Sequence, residues 1–129
     1  MGTSATITIY DMDNQVLCVI YKHWDGRPET IMNNLPSDTR PCLRDYVSSF
    51  RIVSSYSQAL EMINQKGPRP AVGMGCLAAI VVGWLKNNTL GDVRLIPVGE
   101  CVYVNYEYEI VLHTRDQPIL RLVERKKVK

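Results

Sequence analysis

The segment from Met74 to Lys86 constrains this chain more than any other. Its run Cys76 to Leu85 holds no charge, and Lys86 closes it. About ten apolar residues fall well short of the roughly 20 that cross a bilayer as a helix. The run is also too apolar on all sides for an open surface helix. It therefore predicts a buried helix that starts near Gly73 or Met74 and stops at Asn87-Asn88. Gly83 within it costs about 1 kcal/mol against Ala, which predicts close packing at that point.

A buried helix needs a sheet to cover it, and the flanking segments supply one. Thr6 to Tyr10 alternates with period two and reads as a strand. Asp11 to Gln15 is a polar turn, and Val16 to Tyr21 is a nearly continuous apolar strand, so the pair forms a hairpin with its second strand central. After the helix, Val93 to Val98 is a strand whose Pro97 marks an edge or an end. Val102 to Leu112 is a long strand with Val102, Val104, Tyr106, Tyr108 and Ile110 on one face, and Ile119 to Val123 returns beside it. Between the two blocks, Pro28 to Leu35 predicts a short helix. Leu43, Tyr46, Val47 and Phe50 form a helical stripe that breaks near Ile52 to Ser55. Ser57 caps a further helix carrying Leu60 and Ile63, and Lys66 to Pro70 is a breaker. The expected fold is one α+β domain over 1–129. It has a mostly antiparallel sheet of about five strands in the order ββ, helices, βββ, with two to three helices packed on one face. Residues 125–129 form a short basic tail.

At 129 residues the chain buries enough surface to fold without disulfides or metal. Cys18, Cys42, Cys76 and Cys101 form no CxxC pair, so buried thiols are expected ahead of a disulfide or a metal site. A formal charge of +2 gives no argument for nucleic acid. Met1 to Tyr10 alternates rather than forming a leader, so a cytoplasmic protein is expected, in the host cytoplasm if it is viral.

The run Tyr21-Lys22-His23-Trp24-Asp25-Gly26-Arg27-Pro28 resembles a Y-[KR]-H-W-D-G-x-P segment. That segment recurs in a family of small uncharacterised proteins of bacteria, phages and archaeal viruses. Gly73-Met74-Gly75-Cys76-Leu77-Ala78-Ala79 and Tyr106-Glu107-Tyr108-Glu109-Ile110 are similar to the same family. Arg27 stands where an aromatic residue is more usual. The resemblance implies a viral or mobile-element origin and supplies no catalytic residue.

His23, Trp24, Asp25 and Arg27 are the candidate binding surface, placed where a strand ends. They also fit a structural turn, with Asp25 capping backbone, Gly26 at positive φ and Trp24 plugging the core. The candidate catalytic residues are His23, Asp25 and Cys76, the thiol lying in a helical first turn. A buried Cys76 is the simpler expectation. Gly73-x-Gly75-x-x-Ala78 matches a loose dinucleotide fingerprint, but Pro68 to Val72 makes no convincing strand and no parallel βαβ unit is expected. His23, His113 and a cysteine lack ligand spacing, and Asp11 and Asp13 lack the rest of a calcium loop, so neither metal nor cofactor is expected. Arg125, Lys126, Lys127 and Lys129, with Tyr103, Tyr106 and Tyr108 as stacking rings, are the nucleic-acid candidates, opposed by Glu107 and Glu109.

The leading expectation is a non-enzymatic interaction or accessory protein of viral or mobile-element origin, a homodimer through the excess apolar face of the central helix or an open strand edge, with a possible protein partner and no membrane. The alternatives are a nucleic-acid-binding regulator and a small enzyme using His23, Asp25 and Cys76.

Overall fold

The computed structural model describes residues 3–32, 42–65, 67–100 and 102–123. The chain runs β1 (Ala5–Tyr10), β2 (Val16–Lys22), α1 (Pro28–Ile31), α2 (Leu43–Ser48), β3 (Phe50–Val53) and α3 (Tyr56–Ile63). It continues through β4 (Arg69–Val72), α4 (Gly73–Asn88), β5 (Val93–Ile96), β6 (Tyr106–Leu112) and β7 (Pro118–Val123). The fold is α+β. Five strands form a sheet in the order β5-β2-β1-β6-β7. Every neighbouring pair is antiparallel except β1 with β6, where Ile7 faces Tyr108 in parallel register.

The β1–β2 hairpin forms as its sequence predicts. Asp11 Oδ1 accepts from the Asp13 and Gln15 amides at 2.9 and 3.0 Å, and Asn14 takes the left-handed φ of 65°. β2 is interior to the sheet, although Val16 and Leu17 at its start are exposed. β5 is an edge strand, as Pro97 suggests. The long C-terminal strand begins at Tyr106 rather than Val102, yet Val104, Tyr108 and Ile110 are buried as expected. β1 is buried along Ala5, Ile7 and Ile9, and β2 contributes Ile20 to the same core.

The middle of the chain departs from expectation. β3 takes Phe50 from the end of the expected helical stripe and Ile52 and Val53 from its break, β4 begins at Arg69 and Pro70 of the expected breaker, and the two pair in parallel with α3 between them. Four-residue strands are too short to display alternation, and Pro70 is tolerated because a two-stranded sheet is all edge. The α3 cap is Ser55, whose side chain accepts from the Gln58 amide at 3.2 Å, and not Ser57. This small sheet is tied to the β6–β7 turn by Ile52 N–H donating to the Asp116 carbonyl at 2.7 Å.

α4 joins the two sheets, touching β1, β2 and β5 of one and β3 and β4 of the other. Met74, Leu77, Ala78, Val81 and Leu85 are its buried face, at helical spacing. The opposite face carries Gly75, Cys76 and Ala79, all exposed. So α4 is apolar all round but buried on one side only, because its outward residues are small. Gly83 serves no close contact among the described residues outside its own stretch of helix: a Cβ there meets none of them within 4 Å.

Tyr108 shows how the core reaches the strand ends. Its ring is buried, and its hydroxyl donates to the Gly26 carbonyl at 2.6 Å. Burial holds its phenol proton to a pH well above the ordinary tyrosine value of 10.0, with Tyr106 and Glu29 adding to the effect. A raised folded-state pKa contributes stability that is complete below the unfolded value near 10 and is lost as pH rises above it. Tyr108→Phe is expected to cost about 1–2 kcal/mol at neutral pH through the lost hydrogen bond and to shallow the fall in stability above about pH 10. Urea unfolding from pH 7 to 11 measures both.

Candidate functional site

The motif at the end of β2 splits along its length. Lys22 points into the core with 0% exposure, and its ammonium donates to the Leu90 carbonyl. Burial lowers its pKa, while Asp25 and Asp92 act in the opposite direction. Asp25 Oδ2 accepts from the Leu90 amide at 2.9 Å, and the His23 amide donates to the Asp92 carbonyl at 3.0 Å. The left-handed residue is Asp25, with φ 61°, and not Gly26. Gly26 is required by close approach: a Cβ there would lie 2.6 Å from the Ala5 Cβ and 2.9 Å from the Thr3 carbonyl oxygen. Its own amide donates to that oxygen at 2.9 Å. Lys22, Asp25 and Gly26 thus fasten β1, β2, β6 and the α4–β5 connection together.

In the other half of the motif His23, Trp24 and Arg27 are exposed and Tyr21 is half-buried. Tyr21, His23 and Trp24 stand in a row with 6.1 Å between successive ring centroids. His23 Nδ1 lies 3.0 Å from Tyr21 Oη, and the Arg94 guanidinium sits 5.1 Å from the Tyr21 ring centroid. Trp24 is 43% exposed, so it is a surface residue rather than a core plug. Gly91, at φ +91°, lets the chain pass against it, since a Cβ there would lie 2.8 Å from the Trp24 Cβ. Arg27 is the exposed residue before α1 and makes no side-chain cap.

The catalytic constellation does not assemble. Cys76 is exposed, correcting the expectation of a core thiol. It lies in the first turn of α4, while Asp25 meets the chain just beyond the last. Twelve residues of helix put about 18 Å between Cys76 and Asn88. Cys18 is half-buried, which raises its thiol pKa, and Cys42 is buried. Cys101 and the tail residues Arg125, Lys126, Lys127 and Lys129 lie outside the described residues. His23 follows the strand end aligned with Tyr106, whereas His113 follows Leu112. A strand of that length sets them about 20 Å apart, too far for a shared metal. The tyrosine platform fails as well, because Tyr108 is buried and only Tyr103 of the three stands fully out. Glu109 is paired with Arg121.

The glycine fingerprint is half realised. β4 does precede Gly73, which takes φ +80°, and β3-α3-β4 is a parallel βαβ unit. The strand after α4 lies in the other sheet, antiparallel to β2, so the dinucleotide arrangement is not completed around these glycines.

One concavity among the described residues gathers side chains that the sequence motifs do not include. It is an open cleft of about 830 Å³ where α2, β3, β4 and α4 meet, lined by Tyr46, Arg51, Arg69, Gly83, Trp84 and Asn87 among others. Arg51 is anchored by Nη1, which donates to the Ser48 and Phe50 carbonyls at 2.9 and 2.8 Å. Its Nε and Nη2 hydrogens remain for other acceptors. Tyr46 is held edge-to-face by Phe50, centroids 5.2 Å apart. The sequence signal was there in Tyr46 and Trp84, but both read as core positions of a helical stripe. The arginines carried no signal while β3 and β4 went unrecognised.

Compared with family models, curated proteins and solved structures, the chain matches none of them. The phage-type resemblance rests on the motif residues alone.

The two halves of the motif separate by mutation. Gly26→Ala is expected to lose about 1–3 kcal/mol from overpacking, while His23→Ala stays within about 0.5 kcal/mol. Thermal unfolding of both variants checks this, and equal losses would contradict the division.

Proposed function

We propose that this chain is a non-enzymatic binding protein that works through the α2–β3–β4–α4 cleft and takes an anionic ligand there. One observation carries the reading: two arginines line a cleft, and none of the described residues lining it is acidic. The ion pairs among the described residues engage Arg44, Arg94 and Arg121 instead. Arginine without a carboxylate, held by backbone in a fixed orientation, is suited to forked recognition of an oxyanion. The cleft volume falls within the roughly 300–1,000 Å³ usual for small-molecule sites. His23 and Asp25 belong to the structural turn and its aromatic row, which supports binding ahead of catalysis.

Pyrophosphate is the simple probe. It is expected to raise the melting temperature of the wild-type chain, since a ligand of the folded state stabilises it in proportion to occupancy. Arg69→Gln, an exposed position, is expected to abolish the rise without lowering the ligand-free midpoint. A rise of equal size in that variant would remove the cleft from the reading.

The homodimer remains within this proposal on different ground. Tyr56, Leu60 and Ile63 form an exposed apolar stripe on α3 at helical spacing, where α4 offers only small residues. Light scattering of the wild type and of Leu60→Lys is expected to give a dimer and a monomer; a monomeric wild type excludes it.

A further inference from the structure

We infer that the anion taken by the cleft is a nucleoside phosphate, with the phosphate on Arg51 and Arg69 and the base against Trp84 and Tyr46. This rests on the anion-binding reading above and adds the rest of the ligand.

Three features beyond the arginines point to a flat, polar ring. First, two aromatic side chains line the same cleft as the two cations. Tyr46 is fixed by Phe50, and Trp84 packs partly against the core while still lining the opening. Aromatic rings beside cationic groups are the shared chemistry of base-stacking sites, tolerant of which base is present. Second, Gly83 sits within α4, where a Cβ would meet no described residue beyond its own stretch of helix within 4 Å. Glycine there costs about 1 kcal/mol of helix propensity that packing within the chain does not require. Its missing side chain opens the floor of the cleft next to Trp84, giving a planar group room to lie against the helix. Third, Asn87 is exposed one turn beyond Gly83 on the cleft side. Its amide offers both a donor and an acceptor, as the edge of a base requires. A simple oxyanion would use the arginines and leave the rings, the opening and the amide without a role.

The phosphate could come from a free nucleotide or from one residue of a single strand, and the two present the same groups. The cleft is open rather than enclosed, so a strand can pass through it.

The test uses the full chain in a Trp24→Phe background, so that Trp84 alone reports by fluorescence. Adenosine monophosphate is expected to quench Trp84 and to bind more tightly than inorganic phosphate or adenosine alone. Gly83→Met, which fills the opening where a side chain meets nothing, is expected to weaken binding roughly 5- to 100-fold, the range for loss of one stacked base, with the melting temperature kept or raised. Arg69→Gln is expected to weaken nucleotide and phosphate alike. An oligothymidylate arm distinguishes the source. Much tighter binding than the mononucleotide, falling with salt at a slope of about −0.7 per phosphate contacted, assigns a strand; equal binding assigns a free nucleotide. Phosphate binding that Arg69→Gln abolishes, with no added affinity for the nucleotide, overturns the nucleoside and leaves the anion cleft standing. A tetra-aspartate peptide that binds as tightly as the nucleotide overturns it too, in favour of an acidic protein segment. Binding of none of these probes overturns both readings.

Discussion

The structure depends on one helix lying against two sheets at once. Met74, Leu77, Ala78, Val81 and Leu85 are the buried face of α4, and the helix touches β1, β2 and β5 of one sheet and β3 and β4 of the other. Each large apolar side chain fully buried this way contributes about 1.5–3 kcal/mol. The short parallel pair β3–β4 has only four residues per strand, and two strands are too few to stand alone in water. Its place is fixed by α4, α3 and the Ile52–Asp116 hydrogen bond. The cleft exists because the two sheets do not merge. Beside β3 and β4, α4 lines the cleft with Ile80, Gly83, Trp84 and Asn87.

How far the sequence could be read follows the length of its periodic segments. β1, β2, β6 and β7 are six or seven residues each, β1 and β6 alternating and β2 a nearly continuous apolar run, so their existence was legible, and with it the faces of the alternating pair. α4 was legible from its apolar run. β3 and β4 were not, since Arg51 and Pro70 interrupt them and neither is long enough to reveal a face. That single gap hid the βαβ unit, and with it the cleft, because two of the cleft's four walls are those strands. At the motif the residue types were read correctly as turn chemistry, but the roles were exchanged. Asp25 took the left-handed φ, and Gly26 answered a tertiary contact with Ala5 that local sequence does not encode. Trp24 turned outward for the same kind of reason. Its neighbour is Gly91, some 67 positions further along the chain, and only the assembled fold brings them together.

The near-balance of charge also conceals a division of labour. Arg94 sits beside Asp92 and Arg121 beside Glu109, both on the large sheet, and Lys22 is buried near Asp25 and Asp92. Each of these cations has an acid close by, so it adds little to the field beyond its own neighbourhood. Arg51 and Arg69 differ. No acidic residue is among the described residues lining the cleft, so the two charges have no carboxylate beside them there. Two like charges gathered at one place are a cost to folding that burial of the surrounding apolar groups must offset. A net charge of +2 therefore says less about this molecule than where its charges stand, two of them in a cleft that also holds a glycine and two aromatic rings.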